Sequence, residues 1–129
     1  MSTSEALTQS VHVEVRSMYV PERSSPEREF FFFAYQVRIT NQGEAPVKLL
    51  ARHWVITDST GKVEEVRGPG VVGEQPLLSE GQSFSYTSGC PLGTPTGNMR
   101  GDFEMLTSEG ETFKAKVAPF GLEHSSGIH

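Results

Sequence analysis

The chain has a single cysteine, Cys90, so it cannot close an intramolecular disulfide, and a reducing compartment is its natural setting. It is also short of positive charge. Lys and Arg number 11 against 16 Asp and Glu, for a net charge of −5. Such a chain has no sequence-wide attraction for a phosphate backbone, which argues against nucleic acid as its main partner. Long apolar runs are missing. Phe30 to Phe33 is intensely apolar but far below the roughly 20 residues that cross a bilayer. The opening MSTSEALTQS lacks the basic and apolar stretches of a secretory signal. A cytoplasmic protein with no membrane partner is expected. No segment keeps a 3.6-residue period over a dozen positions, so helix should be nearly absent. Catalytic signatures are missing too. There is no Gly-x-Ser-x-Gly, no P-loop and no Asp-x-Asp loop. No catalytic residue and no cofactor is expected, and the chain does not read as an enzyme.

What is present suffices for a core. Hydrophobic residues make up 36%, with eight Phe, three Tyr and one Trp. A chain of 129 residues reads as one domain and buries roughly two-thirds of its unfolded surface. Residues 1–10 are small and polar and are expected to form a disordered tail, with the domain over 11–122 and a second tail over 123–129. Val11, Val13 and Val15 mark a first strand, Val side inward. The strongest strand is Glu29 to Asn41, where Phe31, Phe33, Tyr35, Val37 and Ile39 share one face at period two. Phe30 and Phe32 then point the other way, either covered by a loop or the N-terminus, or left as an aromatic patch for a partner. Ala45 to Asp58 follows, with a break in character near Ala51-Arg52. Lys62 to Arg67, Gln82 to Ser88, Asn98 to Thr107 and Glu111 to Phe120 complete about seven strands. The predicted fold class is all-β. It is a two-sheet antiparallel sandwich, fibronectin type III or immunoglobulin-like, with strands one, two and five on one sheet and three, four, six and seven on the other.

The candidates for function concentrate in Arg52 to Pro76. Trp54 and Ile56 share the strand face packed between sheets, and His53 lies on the opposite face. Gly68-x-Gly70-x-x-Gly73 matches a pyrophosphate fingerprint. In a dinucleotide fold the third glycine opens a helix whose amides hold the pyrophosphate. Here Pro76 follows, a strand begins near Gln82, and Glu74 and Glu80 place negative charge where a phosphate would lie. The stretch reads as a tight crossing between sheets that needs glycine for its φ angles. An anion-binding nest with Arg52 or Arg67 is the alternative. His53 has no second His, Cys or paired carboxylate at ligand spacing within the scaffold, so no metal site is expected. His124 and His129 fall in the tail and would chelate weakly at best. Cys90 has Pro91 after it and no nearby His, so it does not read as a nucleophile.

Several runs occur in the order found in the ApaG family. They include Asn41-Gln42-Gly43, Arg52-His53-Trp54-Val55-Ile56-Thr57-Asp58, Gly70-Val71-Val72-Gly73-Glu74-Gln75-Pro76, Tyr86-Thr87-Ser88-Gly89-Cys90-Pro91-Leu92 and Met99-Arg100-Gly101. The chain resembles that family from about Val11 to Leu122. The resemblance implies a small bacterial cytoplasmic protein with a fibronectin type III-like sandwich and no established biochemical activity, in a family associated with cobalt and magnesium tolerance. Similar domains in eukaryotic F-box proteins and in a polymerase-delta-interacting protein imply a role in protein–protein contact, although fold alone does not fix function. The expected function is a non-enzymatic interaction module for an unidentified protein partner. Its surface would be the sheet face carrying His53 with the loops Gly68–Gly73 and Gly89–Gly97, presenting Arg52, His53, Val71, Val72, Cys90, Pro91 and Arg100. The alternative is a pyrophosphate- or nucleotide-binding protein using Gly68, Gly70, Gly73 and Arg67.

Overall fold

The computed structural model describes residues 1–124. Among them are nine strands: β1 (Ser2–Thr8), β2 (Val11–Tyr19), β3 (Phe31–Asn41), β4 (Val47–Asp58), β5 (Val63–Pro69), β6 (Leu77–Leu78), β7 (Ser83–Leu92), β8 (Thr96–Thr107) and β9 (Thr112–Glu123). The only helical turns among the described residues are two 3₁₀ pieces, Pro21–Arg23 and Pro26–Arg28. One sheet runs β1-β2-β3-β7. The other runs β5-β4-β8-β9, with β6 also paired to β4. The two-sheet antiparallel sandwich and the division of the main strands between its sheets agree with the sequence reading. The strand count is larger by β1 and β6.

Alternation explains the core. Phe31, Phe33, Tyr35, Val37 and Ile39 of β3 are all buried, as are Val11, Val13 and Val15 of β2. In β4 the inward positions change parity. Val47 and Leu49 face the core, a bulge falls between Leu49 and Ala51, and Trp54 then faces inward. This bulge is the break in character visible near Ala51-Arg52. Trp54 meets Tyr35, Phe103 and Phe120 edge-on at centroid distances of 5.3, 5.8 and 6.1 Å. Such pairs each add about 0.5–1.5 kcal/mol beyond the area they bury.

The N-terminal segment departs from expectation. Residues 1–10 are predicted as a disordered tail, yet Ser2–Thr8 pairs with β2 in full register from Ser2↔Ser17 to Thr8↔Val11. The physical reason lies in β9. Ser2 Oγ accepts the Gly121 amide at 2.8 Å, Thr8 Oγ1 accepts the Lys116 amide at 3.1 Å, and Ser17 Oγ donates to the Gly121 carbonyl at 2.6 Å. Small hydroxyl side chains thus close one side of the sandwich. The tail expected over 123–129 is corrected at its start, because Glu123 belongs to β9. The His124 ring stacks edge-on with Tyr19 at 4.6 Å and Phe31 at 5.4 Å, so it is not a free chelator. His129 lies outside the described residues.

Two further expectations are corrected. The crossing between sheets is not made by Gly68–Gly73. After that stretch the chain returns to β4 as β6, and residues 79–82 carry it to β7 in the other sheet. Buried Asn41 fastens this crossing. Its Nδ2 donates to the Ala45 and Leu78 carbonyls at 2.9 and 3.0 Å, and its own carbonyl accepts the Gly81 amide at 2.7 Å. The expected loop Gly89–Gly97 is mostly strand, because β7 continues to Leu92 in register with Phe31. Phe30 and Phe32 divide between the two readings: Phe30 is exposed, whereas Phe32 lies across Gly89 with the Arg23 guanidinium 4.1 Å above its ring.

Candidate functional site

The seven residues expected on one surface fall in three places. Val71 and Val72 lie in a tight turn after β5. Arg52, Cys90 and Pro91 meet in a cleft between the sheets. His53 and Arg100 lie on the outer face of the β4 sheet. The turn joins β4 near Ala51, and the residues after β7 meet β4 near Asp58. Ala51 and Asp58 are roughly 23 Å apart at ~3.3 Å per residue, so the two loops do not form one patch.

The turn explains the glycine fingerprint without a ligand. The Val71 and Glu74 backbones exchange two hydrogen bonds of 2.8 Å, with Val72 and Gly73 at φ 42° and 81° between them. Positive φ at both central residues is the demand of a type I′ turn. At Gly70 a Cβ would collide with the Glu74 carbonyl. At Gly68 a Cβ would come within 2.9 Å of the Arg52 guanidinium, which lies flat over this residue. From there Arg52 Nη1 donates to the Pro69 and Gly70 carbonyls, each at 3.0 Å. The bulge in β4 presents the Leu50 carbonyl, which accepts the Gly70 amide and Gln75 Nε2, both at 2.8 Å. The amides of Gly70, Val71 and Glu74 are therefore all engaged within the protein. Val71 is fully buried in the core and is no contact residue, because the turn folds it inward. Val72 is 58% exposed at the tip.

The cleft lies on the side of the sandwich opposite β1. There the edge strands β5 and β7 face one another with no hydrogen bond between them among the described residues. It encloses about 230 Å³ between Arg52, Trp54, Glu64, Ser88, Cys90 and Pro91. Cys90 is only 3% exposed, and burial pushes its thiol up to about 11, with the Glu64 charge adding to the effect. At neutral pH it stays a protonated, poorly nucleophilic thiol. Burial also raises the phenols of Tyr35 and Tyr86.

On the outer face, His53 Nε2 meets Glu65 Oε1 at 2.8 Å and Nδ1 lies 3.6 Å from Asp102 Oδ2. The His53 hydrogen bond holds the Glu65 carboxyl below its usual range. Because the two carboxylates meet different ring nitrogens, they fix the ring and do not converge on one point. Arg100 and Lys116 border the same shallow hollow of about 160 Å³. Arg67, offered for an anion, bonds Glu65 at 3.2 Å. A second cluster was not legible in the sequence. Pairing of β1 with β2 brings Glu5, His12 and Glu14 together, with one ligand-type atom from each within 4.8 Å of the others. Its existence depends on the strand that the sequence reads as a tail.

This architecture defines an antiparallel β-sandwich of the fibronectin type III kind, carrying a strained apolar turn beside an open inter-sheet cleft. The family model of the ApaG domain matches residues 21–107. Protein ApaG of Anaeromyxobacter dehalogenans is 53% identical over 119 residues, covering 92% of this chain and 94% of the relative. Protein ApaG of Rhodopseudomonas palustris is 52% identical over 122 residues, covering 95% and 94%. The crystal structure of the ApaA protein from Bordetella pertussis superposes with a TM-score of 0.88 at 49% identity, covering 91% of this chain and 95% of that one. The chain belongs to the ApaG family. No helix among its described residues is long and apolar enough to cross a membrane.

Proposed function

We propose that the protein is a non-enzymatic, cytoplasmic interaction module that presents the Val71–Glu74 turn to a protein partner. Val72 carries the reading. A β-branched residue at positive φ is a backbone outlier costing about 1–3 kcal/mol, and Asn or Gly would relieve it. The chain instead holds an apolar side chain 58% exposed at the tip of a rigid, doubly hydrogen-bonded turn. A strained, solvent-facing apolar anchor on a preorganised loop is what recognition uses. The non-enzymatic part is supported by the groups a catalyst would recruit. The Cys90 thiol is buried and protonated, and both ring nitrogens of His53 face carboxylates.

The test is affinity capture from lysate with the wild-type chain and with Val72→Gly, Gly being the residue the turn geometry favours. A saturable partner retained by the wild type and weakened at least about tenfold by Val72→Gly is the expected result. The same proteins retained equally by both chains would rule the turn out. The pyrophosphate alternative has less support, since the amides of Gly70, Val71 and Glu74 are engaged internally and no helix follows Gly73 among the described residues. Titration of ATP and pyrophosphate, followed at the Gly68, Gly70 and Gly73 amide resonances, is expected to leave them unmoved.

A further inference from the structure

The cleft between β5 and β7 contains a cationic side chain that makes no ion pair among the described residues. Arg52 is half-buried, and among the described residues no carboxylate lies within 4.0 Å of it, although Glu5, Glu14, Glu65 and Asp102 all make such approaches to other cations. Its Nη1 serves the Pro69 and Gly70 carbonyls, and no hydrogen bond among the described residues engages Nη2 or Nε. A partly desolvated guanidinium that forms no ion pair is costly, and it is the group best shaped to take a carboxylate in a two-pronged hydrogen bond. The adjoining wall carries a second unmet demand. Trp54 lines the cleft, and its Nε1 is buried with no hydrogen-bond partner among the described residues.

We propose that this cleft is a carboxylate-binding site, and that its occupant is an acidic side chain on an extended segment of a protein partner. Size selects a side chain. About 230 Å³ is below the roughly 300–1,000 Å³ of drug-sized ligand pockets. Charge limits the occupant to a single carboxylate, because Glu64 also lines the cleft and its repulsion grows with every further negative charge on the ligand. Strand geometry selects an extended segment. β5 and β7 are both sheet edges flanking the cleft, and their unpaired backbone groups are the usual receptors for an added strand. Arg52 also braces the Val72 turn, so one segment reaches both features. The choice of a protein as the source of the carboxylate rests on the interaction-module reading; the anion site itself does not.

Trp54 is the only tryptophan, so its fluorescence reports on the cleft. The probes are a capped, extended pentapeptide of β-branched residues with a central glutamate, the same peptide with glutamine, and glutarate. A saturable fluorescence change is expected with the glutamate peptide, at least about tenfold weaker with the glutamine peptide and with glutarate. Arg52→Gln should weaken binding by a similar factor. Because Arg52 also braces the turn, Ser88→Phe is the second variant. It fills the cleft, leaves Arg52 and its carbonyl contacts in place, and should abolish the response. Equal affinity for the glutamate and glutamine peptides, or binding indifferent to both variants, overturns the site. So does the absence of any fluorescence or Ser88 amide response at millimolar peptide. Glutarate binding as tightly as the peptide overturns the protein segment as occupant. If Val72→Gly loses its captured partner while the cleft is inert, the cleft alone falls and the module stands.

Discussion

At the scale of the residue, Val72 sets stability against recognition. Replacing it with glycine removes the strain of a β-branched side chain at φ 42° and should stabilise the fold by about 1 kcal/mol, even after the added unfolded-state entropy of glycine. Urea unfolding measures this; a destabilised Val72→Gly would mean that the exposed valine packs usefully in the free protein. Cys90 offers an independent check on the cleft. With its thiol at about 11 and only 3% exposed, iodoacetamide at pH 7.5 should label the native chain at least about a hundredfold more slowly than the urea-unfolded chain. Rapid native labelling would mean that β7 opens readily beside the cleft.

At the scale of the element, β1 and β4 do the most to shape the molecule. β1 has no apolar period, and its small hydroxyl residues read as a tail. It is a strand because β2 presents an edge to it, and because Ser2 and Thr8 meet the amides of Gly121 and Lys116. Removing residues 1–9 should cost on the order of 3 kcal/mol, several hydrogen bonds at about 1 kcal/mol each with the cover over β2 lost besides. It should also separate the Glu5, His12 and Glu14 cluster. A truncated chain with an unchanged urea midpoint would show that β1 is dispensable. In β4 one bulge does three things. It turns Trp54 into the core, leaves Arg52 on the cleft side, and presents the Leu50 carbonyl that anchors the glycine turn.

At the scale of the whole molecule, the sandwich is closed along β1 and β9 and open between β5 and β7, and its titrating groups set the pH range of stability. The Cys90 thiol is raised from 9.0 to about 11 in the folded state. The stabilisation from keeping it neutral is fully present below pH 9 and is lost as pH rises through 11. The raised Tyr35 and Tyr86 phenols add to the loss above pH 10. Urea midpoints should therefore fall from about pH 9 upward, and Cys90→Ala should flatten the slope between 9 and 11. At the acid end the signs reverse. Asp58, lowered chiefly by the Thr60 hydroxyl, and Glu65, lowered chiefly by His53, contribute above their ordinary values of 3.8 and 4.5, and lose that contribution as pH falls through the depressed ones. Glu65 is exposed and Asp58 only partly covered, so the acid limb should be shallow. A steep loss near pH 5 would point to another titrating group.

The sequence by itself determined the strands with an apolar face, the sheet to which each belongs, and the family. Period-two alternation is a local property of the chain, so Phe31 to Ile39 declare their inward face without reference to any partner. It also showed that Gly68, Gly70 and Gly73 are not set out as in a dinucleotide fold. Only the tertiary structure decided the rest. Val71 and Cys90 are apolar enough for either side of a surface, and their burial follows from how the turn folds back and how far β7 runs in register with β3. Residues 1–10 are too polar to declare a strand, and pairing with β2 together with side-chain hydrogen bonds to β9 supplies what periodicity lacks. The meeting of Arg52, Trp54 and Cys90 across two sheets joins positions far apart in the chain. Such a meeting is set by long-range packing, to which no local period is sensitive.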